Sequence, residues 1–374
     1  MIYLDNAATS FPKPSFVKQA VVDAMDNIGS DGRGAHEMTL RASRIVYSTR
    51  QNISKLFNAD AMRVCFTLNA TMALNTAILG LINANDHVIT SVQEHNSVLR
   101  PLYKTGADLT FLPIDEKGNV KIDMLGGSLK ENTKAVILSH VSNVTGNVID
   151  IKKVGQFCKE HNLYFIVDAA QSAGVFDIDM KEMNISVLCF TGHKGLLGVQ
   201  GTGGLCVAKG IDINPLVTGG SGVHSFSKTH PDEYPTRLEA GTLNAHGLAG
   251  LNASVKWLNE NGLASLREKE TSLARLFYNE LCNLSQIKIY GDVLAENHGA
   301  IVSINIADED AGIVSDALYE DFRICTRAGA HCAPLIHKAF GTDRQGMVRF
   351  SFSHQNTEDE VIKTIEAIKQ LVAE

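Results

Sequence analysis

Short apolar runs that end in polar residues recur along this chain at helix-length intervals, and this alternation constrains the fold more than any other feature. Residues 64–67, 87–91, 109–114, 135–140, 163–167, 187–190 and 204–208 read as strands. Residues 71–82 read as a helix, and so does a segment capped by Ser15 with Val17, Ala20, Val21, Ala24 and Ile28 on one face. Strands separated by helix-length segments imply βαβ units and a largely parallel sheet.

From Leu248 the pattern changes to a long helical stretch through Trp257, Leu266, Leu273 and Leu281, then a strand-like run at 300–306 and a terminal helix from Thr357. The 374 residues exceed what one core sustains. Two domains are therefore expected, a large one over 15–255 and a smaller α+β one over 256–374 on which residues 1–14 pack. The boundary is expected inside a continuous helix.

A net charge of -7 leaves no basic footprint for nucleic acid. No run approaches the ~20 apolar residues of a membrane span, and Met1 to Asp5 carry no basic leader. A cytoplasmic protein is expected. The seven cysteines are scattered and form no Cys-x-x-Cys pair, which disfavours both a disulfide framework and a metal cluster. Cys332 stands apart, because Arg327-Ala-Gly-Ala-His331-Cys332-Ala-Pro334 is a polar, Gly-containing loop.

In such a sheet ligands gather beyond the carboxyl ends of the strands, and every polar candidate falls at such an end. After 64–67, Leu68-Asn69-Ala70-Thr71 opens a helix whose free backbone N–H groups and Thr71 hydroxyl suit a phosphate, although an ordinary N-cap reads equally well. After 87–91, Glu94-His95-Asn96-Ser97 offers His95 for stacking on an aromatic cofactor. After 135–140 comes Asn143, a donor to a phenolic or carboxylate oxygen, in a segment that also spells a routine turn.

Asp168 closes an apolar strand, where an acid needs solvent, a capping role or a charge partner. A protonated pyridine nitrogen is such a partner, and Gln171 lies three residues on. Residues 189–194, Cys-Phe-Thr-Gly-His-Lys, deliver Lys194 into a Gly-rich turn. A strand-end lysine after a strand-end aspartate supplies the amine and the carboxylate that pyridoxal phosphate (PLP) chemistry uses. A nucleotide P-loop does not fit, because Lys194 precedes the glycines that follow it.

Together these segments resemble the class V aminotransferase family of PLP-dependent transferases of fold type I, and within it the cysteine desulfurases. The resemblance runs from Tyr3-Leu4-Asp5-Asn6-Ala7-Ala8-Thr9 through the segments above. It continues in Glu239-Ala240-Gly241-Thr242-Leu243-Asn244, Arg327-x-Gly-x-His-Cys332 and Val348-Arg349-Phe350-Ser351. The last cysteine motif is similar to that of the second, SufS-like group and of selenocysteine lyases. The resemblance implies an α/β fold with a mostly parallel large-domain sheet and a smaller α+β C-terminal domain.

It also implies Lys194 as the Schiff-base lysine, Asp168 on the pyridine nitrogen and His95 on the ring. Asn143 and Gln171 would contact the O3′ side or the substrate, and Ala70, Thr71, Thr191 and His193 the phosphate. Thr242 would reach the phosphate of a neighbouring copy in a homodimer. Arg349, assisted by Arg327, would bind the substrate carboxylate, and Cys332 would take sulfur from L-cysteine as a persulfide before passing it to an acceptor protein. His331, Arg327 and the cofactor are the expected activators of Cys332, and no metal is implied. Selenocysteine lyase is the nearest alternative; another class V aminotransferase, lyase or epimerase is more distant. Relatives commonly carry Thr-Thr-Glu or Ala-Thr-Glu where this chain has Ala70-Thr71-Met72, so one phosphate hydroxyl and one acid are expected to be missing. The segment 32–37 is similar to one near the active site of relatives, leaving open whether Arg33 or His36 touches substrate.

Overall fold

The computed structural model of the protein describes residues 1–32 and 34–373; Arg33 lies outside them. In chain order the strands are β1 (Ile2–Tyr3), β2 (Val64–Thr67), β3 (His87–Ser91), β4 (Asp108–Leu112), β5 (Thr133–Ser139), β6 (Tyr164–Asp168), β7 (Val187–Thr191), β8 (Gly203–Val207), β9 (Ile287–Tyr290), β10 (Ile301–Ile306), β11 (Ile324–Cys325), β12 (Arg327–Gly329) and β13 (Met347–Ser351). The α-helices are α1 (Ser15–Asn27), α2 (Glu37–Phe57), α3 (Ala70–Leu81), α4 (Asn96–Thr105), α5 (Ile151–Glu160), α6 (Ala245–Asn261), α7 (Ala264–Leu281), α8 (Ala311–Phe322), α9 (Pro334–Phe340) and α10 (Glu358–Ala373).

Seven strands form one sheet in the order β2-β8-β7-β6-β5-β3-β4. Strand β8 runs antiparallel to β2 and β7, and the other pairings are parallel. The central strands β6 and β7 are covered on both faces, so their apolar residues run on rather than alternate with polar ones. Along β6, Phe165 and Val167 enter one core and Ile166 the other. Along β7, Leu188 and Phe190 oppose Val187 and Cys189 in the same way. Each fully buried side chain of this size contributes about 1.5–3 kcal/mol of transfer free energy. The result is a rigid floor whose strand ends carry the polar loops.

A second, antiparallel sheet, β12-β13-β10-β9, packs with α7, α8 and α10 around a separate core that includes Phe277, Val302, Phe350 and Ile365. The N-terminus joins this part of the molecule. Strand β1 pairs in parallel with β11, Asp5 bridges to Ser351, and Leu4 is fully buried in that core.

Local structure departs from the sequence reading at three places. Pro14, not Ser15, holds the cap position of α1, and no side chain caps it. The stretch after Leu248 is two helices rather than one: α6 closes at Asn261, and Gly262 takes φ +75°, where a residue with a side chain is strained. Helix α2, 21 residues long, had no counterpart in the apolar pattern, because buried Thr49 and Arg50 interrupt its inner face.

Candidate active site

Loops at the carboxyl ends of β3, β5, β6 and β7 converge with the N-terminus of α3 on one cleft. It is lined by Asn69, Ala70, Thr71, His95, Ser97, Asn143, Asp168, Gln171, Thr191, His193 and Lys194, among others. Strand β2 hands the chain to α3, whose approach to the sheet requires Gly203: a Cβ there would sit 2.7 Å from the Asn69 Cα. Asn69 caps the helix by accepting from the Met72 N–H, which leaves the first-turn N–H groups of Ala70 and Thr71 beside the cleft.

Asp168 ends β6, buried, with Oδ1 accepting from the Ala170 N–H at 2.8 Å. Burial raises its pKa, opposed by that hydrogen bond and by the charge of Lys194. Lys194 follows β7. Burial and then Arg349 bring its amine down from 10.5 to about 8. His95 caps α4, and its Nδ1 accepts from the Ser97 N–H at 3.0 Å, so the remaining proton resides on Nε2. Burial and the neighbouring Lys194 depress its pKa to about 4, which keeps the ring neutral.

A second hydroxyl stands beside Thr71, from another segment. Ser97 Oγ lies 2.7 Å from Thr71 Oγ1 and 2.8 Å from His95 Nδ1. Ser97 follows His95 by two residues, but its approach to Thr71 is tertiary, so only its place in the Glu94–Ser97 segment hinted at it. Lys13 is a second residue the sequence reading missed. Its ammonium joins Thr9 and Ser10 in donating to the His193 carbonyl, which anchors the peptide that carries Lys194. Glu94, fully buried, accepts from Ser91 and Ser139 and fixes the loop before His95.

Arg349, on β13, is buried; its Nη1 donates to the Asn143 carbonyl at 2.9 Å and its Nη2 to Asp5 at 3.1 Å. Arg327, on β12, is half exposed and grips the same Asp5 carboxylate through Nε and Nη2. Cys332 is exposed, and its carbonyl accepts from the Asn96 N–H, next to His95, at 2.6 Å. Asn143 Nδ2 reaches the His331 carbonyl at 2.8 Å. The cysteine loop of the second sheet is thereby fastened to the cleft of the first. Burial drives the His331 pKa to about 3, so this neutral ring lends Cys332 no positive charge.

Gln171 is oriented by the Ala7 carbonyl. Thr242 does not join the cleft; it lies exposed in a neighbouring groove with Leu68 and Met72. His36 caps α2 instead of lining the cleft.

The cleft fits PLP on its own polar atoms. Thr191 Oγ1 and His193 Nδ1 are buried without a hydrogen-bond partner, beside the free N–H groups of α3. A phosphate is the group such an arrangement accommodates. No cluster of three or more His, Cys, Asp or Glu among the described residues is placed to hold a metal ion.

A lysine after one central strand, an aspartate at the end of its parallel neighbour and a helix N-terminus at the phosphate end define the fold type I class of PLP enzymes. The chain belongs to the Aminotransferase class-V family, whose model matches residues 2–363, and this family is PLP-dependent. The chain is similar to proteins named "Probable cysteine desulfurase": it is 31% identical over 99% of its length to one from Methanothermobacter thermautotrophicus, and 32% identical over 100% to one from Pyrococcus abyssi. It spans 94% of each relative. The solved apo structure of a cysteine desulfurase from Thermococcus onnurineus superposes with a TM-score of 0.91 at 30% identity, covering 100% of this chain and 94% of that one. The cysteine desulfurase CsdA from Escherichia coli follows at 0.89 and 26%, covering 99% and 94%.

Proposed function

We propose that this protein is a cysteine desulfurase of the second group, converting L-cysteine to L-alanine with Cys332 as the sulfur acceptor. The carrying observation is that the loop of Cys332 is hydrogen-bonded to Asn96 and Asn143, which flank the cleft of Lys194, Asp168 and His95.

Lys194 would hold the cofactor covalently, Asp168 would face its ring nitrogen, and His95 would cover the ring. Thr71, Ser97, Thr191, His193 and the N–H of Ala70 would hold the phosphate, joined by Thr242 from a second copy. Bound there, PLP supplies an electron sink for the carbon next to the substrate amine. Arg349 receives the substrate carboxylate, a task for which a fork of donors is suited. An amine with a pKa near 8 is in part neutral at physiological pH, so Lys194, once released, can accept the Cα proton. The Cys332 thiolate takes the sulfur atom: its S–S bond forms as the substrate C–S bond breaks, and the electron pair stays with the carbon skeleton. One L-cysteine and one thiol give one L-alanine and one persulfide, and no external oxidant is required.

The persulfide would then pass to a thiol of an acceptor protein in the cytoplasm. L-selenocysteine fits the same contacts and is the alternative substrate. Product analysis decides between them. Equimolar L-alanine and sulfane sulfur from L-cysteine is the expected outcome. Alanine formed only from L-selenocysteine would make the protein a selenocysteine lyase, and pyruvate or a racemised amino acid would move it to the other class V chemistries.

A further inference from the structure

The register of β12 with β13 places Arg327 directly opposite Arg349. Two like charges opposite each other on adjacent strands repel, and the buried Asp5 carboxylate lies between them as a common acceptor. From Arg327 the contacts continue: its carbonyl accepts from His331 Nε2 at 3.1 Å. The His331 carbonyl accepts from Asn143 Nδ2, and the Asn143 carbonyl accepts from Arg349 Nη1, which returns to Asp5. We propose that Asp5 and His331 are positioning residues that close this ring, hold the Cys332 loop against the cleft, and tie the conformation of that loop to the occupancy of Arg349.

The backbone within the ring calls for such support. His331 and Cys332 take φ of +50° and +57°, two consecutive L residues in the left-handed region. Strained backbone of this kind persists only where its surroundings over-determine it. The ring restrains His331 through its side chain and its carbonyl, and Asn96 restrains the Cys332 carbonyl. His331 fulfils its part only with the proton on Nε2, which the neutrality imposed by burial allows. Its Nδ1, buried and without a partner, takes no share in the contacts.

Coupling follows from competition for Arg349. Its two Nη atoms are committed to Asp5 and to the Asn143 carbonyl, while its Nε is buried and unpaired. A carboxylate arriving there draws on the same donors, and any adjustment passes through Asn143 to the His331 carbonyl. The proposal rests on the desulfurase reading for the identity of that carboxylate and for the role of Cys332.

Hydrogen exchange of the holoenzyme, followed on peptides covering residues 327–333, tests the ring without measuring turnover. In His331→Ala these amides should exchange about tenfold faster, roughly the factor that one net hydrogen bond is worth. His331→Gln keeps a donor and should recover part of the loss, and Asp5→Asn should accelerate the same peptide. Saturating L-alanine should change exchange at 327–333 in the wild type and not in His331→Ala. The kcat for L-cysteine should fall in His331→Ala with KM within about twofold of wild type, the signature of a misplaced group rather than lost binding. Melting temperature and cofactor content on the same samples separate ring opening from unfolding. A wild-type peptide indifferent to L-alanine would overturn the coupling even if no variant folds, and unchanged exchange in both Asp5→Asn and His331→Ala would overturn the ring. Turnover by Cys332→Ala would instead defeat the desulfurase reading and leave these exchange rates as they are.

Discussion

Asp168 ends β6 and Lys194 lies in the turn after the neighbouring β7, the first buried and the second partly so, and each modifies the proton affinity of the other: the aspartate raises that of the amine, the ammonium lowers that of the carboxyl. Desolvation outweighs this attraction at Lys194 and, with Arg349, leaves the amine near 8. The neutral amine is the nucleophile that captures an aldehyde. Capture of PLP by the apoenzyme should therefore be slow below pH 8, where Lys194 is protonated, and rise to a plateau above it. Stopped-flow reconstitution across pH should give a midpoint near 8; a midpoint at the ordinary 10.5 would show that burial does not act on this amine. Lys194→Ala should bind the cofactor without a covalent link and lose about 10²–10⁴-fold in turnover, the scale of a general acid-base group. Borohydride reduction followed by peptide mapping reads the missing link.

Helix α2 and the segment carrying Thr242 are joined by one buried ion pair. Arg50 donates from both Nη atoms to Glu239, whose Oε1 also accepts from the Phe66 N–H of β2, and the guanidinium lies 4.6 Å from the Phe66 ring centroid. Removing one member of such a pair strands the other. Arg50→Met should cost about 3–5 kcal/mol in denaturant unfolding and should weaken PLP retention by loosening the Thr242 segment; a loss under about 1 kcal/mol, the scale of a surface ion pair, would contradict the clamp. This element also marks the limit of the sequence reading. The central strands were legible because each is a short apolar run between helix-length segments, and the residues that line the cleft were legible because most stand where such a run ends. The interior of α2 was not, since Thr49 and Arg50 are buried by tertiary partners that no local pattern reveals. Ser97 and Asp5 escaped for the same reason: Ser97 meets a hydroxyl 26 residues away, and Asp5 meets arginines 322 and 344 residues away. The break between α6 and α7 rests on a single glycine inside a stretch whose apolar spacing continues across it.

At the scale of the whole molecule, the two sheets and their loops are tied together beside the cleft by the Arg349–Asn143 and Asn96–Cys332 hydrogen bonds, and we propose the domains as residues 15–255 and 256–374, with residues 1–14 on the second. No helix among the described residues is long and apolar enough to cross a membrane. Yet Leu68, Leu216 and Val217, which line the groove that holds Thr242, are exposed. Contiguous apolar surface of this kind marks an interface, and a second copy that brings Thr242 to its neighbour would cover it. Sedimentation should give a particle of twice the 40.5 kDa chain, and Val217→Asp should shift it toward the single chain; a wild-type monomer that retains PLP would contradict the shared site. The central claim joins the two domains more closely still, because Cys332 of the small one must act on a substrate bound at Lys194 of the large one. Mass spectrometry after brief exposure to L-cysteine tests it most directly. One additional sulfur on the peptide containing Cys332, and no alanine released from L-cysteine by a Cys332→Ala variant that still binds PLP, is the predicted result. Alanine released by that variant at the wild-type rate, or the additional sulfur found on Cys282 or Cys325 instead, would contradict the account.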